Sequence, residues 1–264
     1  MQIEIADLHK SFGPLRIFEG FDLSIAPGEI CVIMGRSGTG KSVLQKHLTG
    51  LLKPDQGSIK IDGEEITTKR EKELFPVRRR FGMIFQNGGM LQSLNVAQNV
   101  ALPLVETQGC SLAEVMDHVS EKLEMVGLEG REKQSVTTLS GGQQKRVAIA
   151  RALIQGADCL LFDEPTAGLD PPISKTVDDV IVQMNEKTKA TMIVVTHDLV
   201  SAFTIADRVC LLHEGKLVEV SAPEDFLESK EKAVQEFLAR GIAIPEPRTR
   251  RRSAVVTANA SPNP

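Results

Sequence analysis

Eight consecutive residues, Gly35, Arg36, Ser37, Gly38, Thr39, Gly40, Lys41 and Ser42, follow an apolar run and open a helical stretch reaching about residue 52. Glycines at this spacing let the backbone curl tightly and turn its N–H groups toward a phosphate. The helix behind them aims its positive end at the same anion. In such a loop Lys41 reaches the β- and γ-phosphates of a nucleotide, and the Ser42 hydroxyl is a ligand for Mg²⁺. A second piece is the strand-like run Cys159, Leu160, Leu161 and Phe162, closed by Asp163 and Glu164. Asp163 suits the metal-holding carboxylate of such a site. Glu164, one position on, projects to the other side and can orient and polarise an attacking water.

A third piece is Leu139, Ser140, Gly141, Gly142 and Gln143. Ser140 and Gln143 have S-x-x-Q capping spacing, the two glycines expose N–H groups, and residues 144–154 read as a helix. This is another anion receptor, about a hundred residues after the first, and its natural target is a γ-phosphate. Two receptors in one chain imply that each nucleotide is gripped from two sides.

The elements that must carry these residues are legible in the hydrophobic periodicity. Ile3 and Ile5, then Phe21, Leu23 and Ile25, then Ile59 and Ile61 alternate with period two, which predicts antiparallel, half-buried strands. Ile30, Cys31, Val32, Ile33 and Met34 are continuously apolar and read as a strand buried on both faces. Ser111 and Glu114 form a capping box before Leu112, Val115, Val119, Leu123 and Val126, so the middle of the chain is helical. Strand and helix patterns then alternate: 160–162, a helix over 173–189, a strand over 192–195, a helix from Leu199, and a strand over 209–212 that turns into a hairpin. That alternation predicts a mainly parallel sheet flanked by helices.

Composition removes several classes. Lys plus Arg total 31 against 35 Asp plus Glu, a net charge of −4, and there is no Trp or Tyr, so a nucleic-acid partner is not expected. No apolar run approaches the ~18 residues of a membrane span. The acidic start lacks the apolar block of a signal peptide, so a cytoplasmic protein is expected. Cys31, Cys110, Cys159 and Cys210 include no C-x-x-C pair and read as small hydrophobes. The charged block Lys69, Arg70, Glu71, Lys72, Glu73 and then Arg78, Arg79 and Arg80 reads as a solvated face or edge before a strand over 81–85. Residues 241–264, rich in Pro and Arg, read as a tail that is disordered in isolation or bound to a partner.

With these motifs in this order, residues 3–240 resemble the nucleotide-binding subunit of ATP-binding-cassette (ABC) proteins. The resemblance implies an α/β fold of the P-loop NTPase type: an ABC-ATPase core over 1–240, with an N-terminal antiparallel β-subdomain and an α-helical subdomain inserted at about 88–155. It implies ATP and Mg²⁺ as cofactors. It also implies roles for further residues: Phe12 stacks on adenine, Gln86 senses Mg²⁺ and water beside Ser42 and Asp163, Asp170 belongs to the D-loop, and His197 contacts the γ-phosphate. Glu164, His197, Gln86 and Lys41 are then the catalytic set. In this family two copies meet head to tail, and the serine-capped helix of one closes over the ATP of the other. The implied partner is a separate integral membrane permease, with this chain peripheral on the cytoplasmic face of the inner or plasma membrane. The segment 85–106 is similar to ATPases of the MCE (mammalian cell entry) and Mla (maintenance of lipid asymmetry) lipid transporters, which implies lipid cargo and an MCE-type lipid-binding partner with other accessory subunits. A small-solute importer and a non-transport mechanical or signalling complex stay open beside it.

Overall fold

The computed structural model describes residues 1–239 of the 264. The tail expected over 241–264 lies outside the described residues. The period-two segments form β1 (Ile3–Phe12), β2 (Leu15–Ile25) and, later in the chain, β4 (Gln56–Ile61), with the two-residue β5 (Glu64–Glu65) at the edge. They make one antiparallel sheet in the order β2-β1-β4-β5. Ile3 faces Ile25 on one side and Ile61 on the other, and Ile5 likewise faces Leu23 and Ile59. Matched aliphatic pairs across three strands pin this register, since a one-residue slip would turn the whole set to solvent.

The second sheet is the one that carries the chemistry. It contains β3 (Ile30–Met34), β6 (Phe81–Ile84), β7 (Cys159–Asp163), β8 (Thr191–Thr196), β9 (Arg208–His213) and β10 (Lys216–Ser221). Their order is β10-β9-β3-β8-β7-β6, parallel throughout except for the final β9–β10 hairpin. Successive residues of β3 point into different cores: Ile30, Val32 and Met34 into one, Cys31 and Ile33 into the other. The first core lies under the helices, and the second lies between the two sheets. Cys31, Cys159 and Cys210 all face the second core, and the four cysteines are free thiols.

Helices cover the parallel sheet. Packed in its two cores are α1 (Lys41–Leu48), α2 (Glu71–Arg79), α3 (Val96–Gln108), α4 (Leu112–Met125), α5 (Gly141–Leu153), α6 (Pro171–Thr188) and α7 (Leu199–Ile205). The short α8 (Pro223–Leu227) and α9 (Lys232–Leu238) follow the last strand. Helices α3, α4 and α5 pack on one another, joined by apolar residues such as Val100, Val119, Leu123 and Val147. No helix among the described residues is long and apolar enough to cross a membrane.

Two expectations need correction. Helix α1 stops at Leu48 rather than near residue 52, because Gly50 takes a left-handed φ of 64° and its N–H bonds back to the His47 carbonyl. A left-handed glycine just past the last turn is a standard helix stop. The charged block does form a solvated face, its residues exposed or half-exposed, on and beside α2, whose other side buries Leu74 and Val77. Arg78 then donates to the Thr49 and Gly50 carbonyls at 3.0 and 3.2 Å, closing the end of α1. Strand β6 accordingly ends at Ile84, one residue early.

Helix α5 lies unusually close to the sheet. A Cβ on Gly82 of β6 would fall 2.6 Å from Leu160 Cδ2 and 2.8 Å from both Cβ and O of Ala152. Gly82→Ala should therefore push α5 off its seat and cost about 1–3 kcal/mol. Thermal melting reads this as a lower midpoint, and an unchanged midpoint would refute so tight a contact.

Candidate functional site

The parallel register delivers three strand ends to one edge. Met34 of β3 pairs with Thr196 of β8, and Val195 pairs with Asp163 of β7. The residues that follow these ends are Gly35, His197 and Glu164, so a phosphate loop, a histidine and a carboxylate emerge side by side. Ligand sites of open parallel sheets form at such carboxyl ends.

The loop from Gly35 to Gly40 is tightly enclosed. A Cβ at Gly35 would meet the Leu212 carbonyl at 2.7 Å and Thr39 Oγ1 at 2.8 Å. Gly40 caps α1 with φ 102°, and a Cβ there would lie 2.5 Å from Ile17. Only glycine serves at either position, the first for space and the second for both space and backbone. Arg36, Ser37, Gly38 and Thr39 form the outer turn, closed by Thr39 N–H and Oγ1 donating to the Arg36 carbonyl. Lys41, 8% exposed, folds back over the loop and donates to the Gly35 and Arg36 carbonyls at 2.7 and 3.0 Å. Burial pulls the Lys41 pKa down, opposed by the nearby Glu164 and Asp163 carboxylates.

The two carboxylates diverge as neighbours on one strand should, with an added backbone twist. Asp163 accepts a hydrogen bond from Ser42 Oγ at 3.2 Å, and its pKa is raised by burial. Glu164 adopts a left-handed φ of 48°, and its N–H donates to the Val195 carbonyl at 2.9 Å. For a non-glycine residue that is backbone strain of the kind found at working sites. The turn swings its carboxylate toward β8, where it accepts from Thr196 Oγ1 at 3.0 Å and His197 N–H at 3.3 Å. His197 Nδ1 lies 3.0 Å from the same carboxylate, and the Lys41 ammonium is 3.8 Å from it on the other side.

A hydroxyl and a carboxylate, Ser42 and Asp163, are hard oxygen donors suited to Mg²⁺. Such an ion takes one or two carboxylates from a protein and completes its shell with phosphate oxygens and water. The donor set therefore fits Mg²⁺ bound together with a polyphosphate.

Other candidate residues stand apart from this cluster. Ser140 caps α5: its N–H donates to Gln143 Oε1 at 3.0 Å and its Oγ accepts from the Gln143 N–H at 3.4 Å. Gly141 and Gly142 pack on Leu169 and Ile173 at the start of α6, where a Cβ on Gly142 would come within 2.3 Å of Ile173. Asp170 caps α6 by accepting from the Ile173 N–H at 3.0 Å. Among the described residues, no hydrogen bond or ion pair joins this second group to the phosphate loop. Phe12 is half-exposed at the end of β1, with the Lys10 ammonium 5.5 Å from its ring centroid. Gln86 follows β6, and its backbone carbonyl is held by Lys145.

Sequence reasoning missed that last contact. Lys145 of α5 is 5% exposed, and its ammonium donates both to the Gln86 carbonyl and, at 3.4 Å, to the Glu164 carbonyl. Burial lowers its pKa, offset by Asp163 and Glu164. Arg151, further along α5, donates to the Gly88 and Gly89 carbonyls at 2.7 and 2.6 Å. The signal was present, because Lys145 shares a helix face with Ala148, Ile149 and Ala152, all buried. Gln45 was also missed: its side-chain amide donates to the Phe162 carbonyl at 2.9 Å and seats α1 on β7.

Comparisons with known proteins agree with the fold. Residues 18–167 match the ABC transporter family. The chain is 43% identical over 236 residues to a probable ribonucleotide transport ATP-binding protein mkl of Mycobacterium leprae, covering 89% of this chain and 68% of that protein. It is 44% identical over 217 residues to the methionine import ATP-binding protein MetN of Brucella abortus, covering 82% of this chain and 58% of MetN. The chain thus spans about three fifths to two thirds of these relatives. A dimeric post-hydrolysis structure of the ATP-binding cassette MJ0796 bound to ADP and Pi superimposes with TM-score 0.74 at 31% identity, covering 84% of this chain and 98% of that one. The structure of cbiO1 from Clostridium perfringens, part of the transporter complex cbiONQ, gives 0.80 at 29% identity over 90% of this chain and 94% of its own.

A buried acid links the helices that leave the site. Asp178 of α6, 2% exposed, accepts from Ser201 Oγ of α7 at 2.6 Å. Burial lifts its pKa from 3.8 to about 7, aided by Asp198 and Asp179 and opposed by the Ser201 hydrogen bond. A carboxyl whose folded pKa exceeds its unfolded one adds stability that is complete below the unfolded value and lost as pH rises through the folded one. At pH 8 Asp178→Asn should therefore be more stable than wild type by roughly 2–4 kcal/mol, the gap shrinking as pH falls toward 4. Melting curves of both proteins from pH 4 to 8 check this, and a pH-independent difference would contradict it.

Proposed function

The chain belongs to the ABC transporter family, and we propose that it powers a separate membrane permease that moves lipid. ATP binding and hydrolysis come with the family. The observation that carries the site assignment is the convergence of Lys41, Glu164 and His197 beside the Ser42–Asp163 pair, all within hydrogen-bonding or ion-pair reach.

In this reading the loop from Gly35 to Gly40 wraps the phosphates with its N–H groups, and Lys41 turns from its own carbonyls to the β- and γ-phosphates. Phe12 stacks on the base. Ser42 and Asp163 hold Mg²⁺, assisted by Gln86; the ion supplies neutralisation of phosphate charge. Glu164 accepts a hydrogen bond from the attacking water and draws off its proton as the water's oxygen bonds to the γ-phosphorus and the bond from that phosphorus to the β–γ bridging oxygen breaks, leaving ADP and phosphate. His197, held against Glu164, offers its free ring edge to the γ-phosphate. The Ser140–Gln143 cap and Asp170 sit away from their own phosphate loop, which supports completion of each site by a second copy arranged head to tail. Residues 1–240 form the ATPase unit in this assignment, with about 88–155 as its inserted helical part. Mutual packing of α3, α4 and α5 supports that division.

Lipid cargo and an MCE-type partner rest on the character of residues 85–106. The chain would lie at the cytoplasmic face of the membrane, bound through the permease. A second reading, import of a small solute, is favoured by the relatives, whose names specify ribonucleotide transport and methionine import.

Glu164→Gln should keep ATP binding, lose about a hundredfold or more in turnover, and elute as a dimer with ATP on a sizing column. Normal turnover would remove Glu164 from its role. Purifying the intact membrane complex and identifying bound small molecules by mass spectrometry separates the cargo readings. Phospholipid that also stimulates the reconstituted ATPase supports lipid transport, whereas stimulation by methionine or a nucleotide alone refutes it.

A further inference from the structure

Lys145 is a buried cation that reaches two separate parts of the site from α5. It touches the backbone of Gln86 and of Glu164, which lie on different strands' exits, and it projects from the helix that begins at Ser140. Burying an ammonium against two neutral carbonyls costs desolvation that such contacts return poorly. Its value is therefore positional. Glu164 has a strained backbone whose N–H donates to the Val195 carbonyl and whose own carbonyl accepts from the Ala167 N–H at 3.2 Å and from Lys145 at 3.4 Å. Those three bonds set the direction in which the carboxylate leaves the chain, and of them only the Lys145 bond comes from α5.

Helix α5 is short and rigid, and Lys145 stands five residues from the cap, about 7 Å along the axis at 1.5 Å per residue. Tight packing of Gly141 and Gly142 on Leu169 and Ile173, and of Ala152 against Gly82, leaves α5 to move only as one body. Arg151 fastens the same helix to the loop after Gln86 at two further carbonyls. A displacement at Ser140 thus reaches Gln86 and Glu164 without an intervening joint.

We propose that Lys145 is a positioning residue that couples the two ATP sites of the dimer, transmitting closure of Ser140 on the partner's ATP to the water-activating Glu164 of its own chain. This rests on the two-copy reading above. Cooperativity follows directly: occupation of one site sets the carboxylate of the other.

The test compares wild type, Lys145→Met and Lys145→Arg as purified full-length chains. Steady-state ATPase rates are measured against ATP concentration, and equilibrium binding of a fluorescent ATP analogue is measured in parallel. For wild type the Hill coefficient should lie well above 1, toward the limit of about 2 for two sites. Lys145→Met should drop it to about 1 and lower kcat about tenfold or more, with analogue affinity held within about twofold. Lys145→Arg, which keeps a donor of similar reach, should restore most of both. Should Lys145→Met fail to fold, Lys145→Gln is read by the same criteria. Wild-type cooperativity and kcat in the variant overturn the proposal, as does a loss of affinity and rate with cooperativity intact. A wild-type Hill coefficient near 1 also overturns the proposal, whereas failure of Glu164→Gln to dimerise with ATP overturns the two-copy reading itself.

Discussion

The parallel register of β3, β8 and β7 is the constraint on which everything else hangs. Pairing Met34 with Thr196 and Val195 with Asp163 decides that the loop, the histidine and the carboxylates leave the sheet at one level. Strands buried on both faces hold that register firmly, because a slip of one residue would exchange the side chains of two different cores. Cys31 and Ile33 would then face the helices, and Val32 the antiparallel sheet. Apolar packing far from any phosphate thus sets the ångström-scale geometry of the charged cluster.

Charge in that cluster is balanced by proximity rather than by tight pairing. Lys41 and Lys145 are both buried, and burial depresses both; the same two carboxylates, Asp163 and Glu164, oppose that shift in each. Asp163 in turn is raised by its own burial and by Glu164. Lys41 meanwhile bonds only to loop carbonyls, and stands 3.8 Å from Glu164 rather than in a close salt bridge. A cation held this way can transfer its hydrogen bonds to an incoming anion without first breaking a strong ion pair. Glu164 is similarly free of a cationic lock, its carboxylate resting on a hydroxyl, an amide and an imidazole.

What the sequence showed and what it hid divides along chain distance. The phosphate loop, the Asp163–Glu164 pair and the serine-capped helix are written in consecutive residues, so their local chemistry was readable, and the alternation of periods disclosed the sheet. The contacts of Lys145 and Arg151 span 19 to 63 residues, and periodicity, which puts Lys145 on the apolar face of α5, could not name the carbonyls that either side chain meets. The block before β6 was legible as solvated charge, but its helix was not, because that rests on Leu74 and Val77 packing inward and on Arg78 reaching the distant carbonyls at the end of α1. Nor could pattern foresee that Glu164 takes a left-handed backbone, since nothing in its neighbours demands it; the carbonyl of Val195 does.

The two segments proposed to bind phosphate are built differently, and the difference bears on how they would share work. The loop before α1 is held from below by Ile17, Phe18 and Leu212, which lie in other elements, so it is a fixed cradle. The cap of α5 is satisfied internally: Ser140 and Gln143 bond to each other, and Asp170 does the same for α6. Its orientation therefore comes from the body of α5, whose contacts run to the loop after β6 and to the backbone of Glu164. A receptor anchored in the sheet binds; a receptor carried on a lever reports. Placing the second kind on the helix that also touches Gln86 and Glu164 is what, in the proposed two-copy arrangement, would join the grip on one phosphate to the state of another.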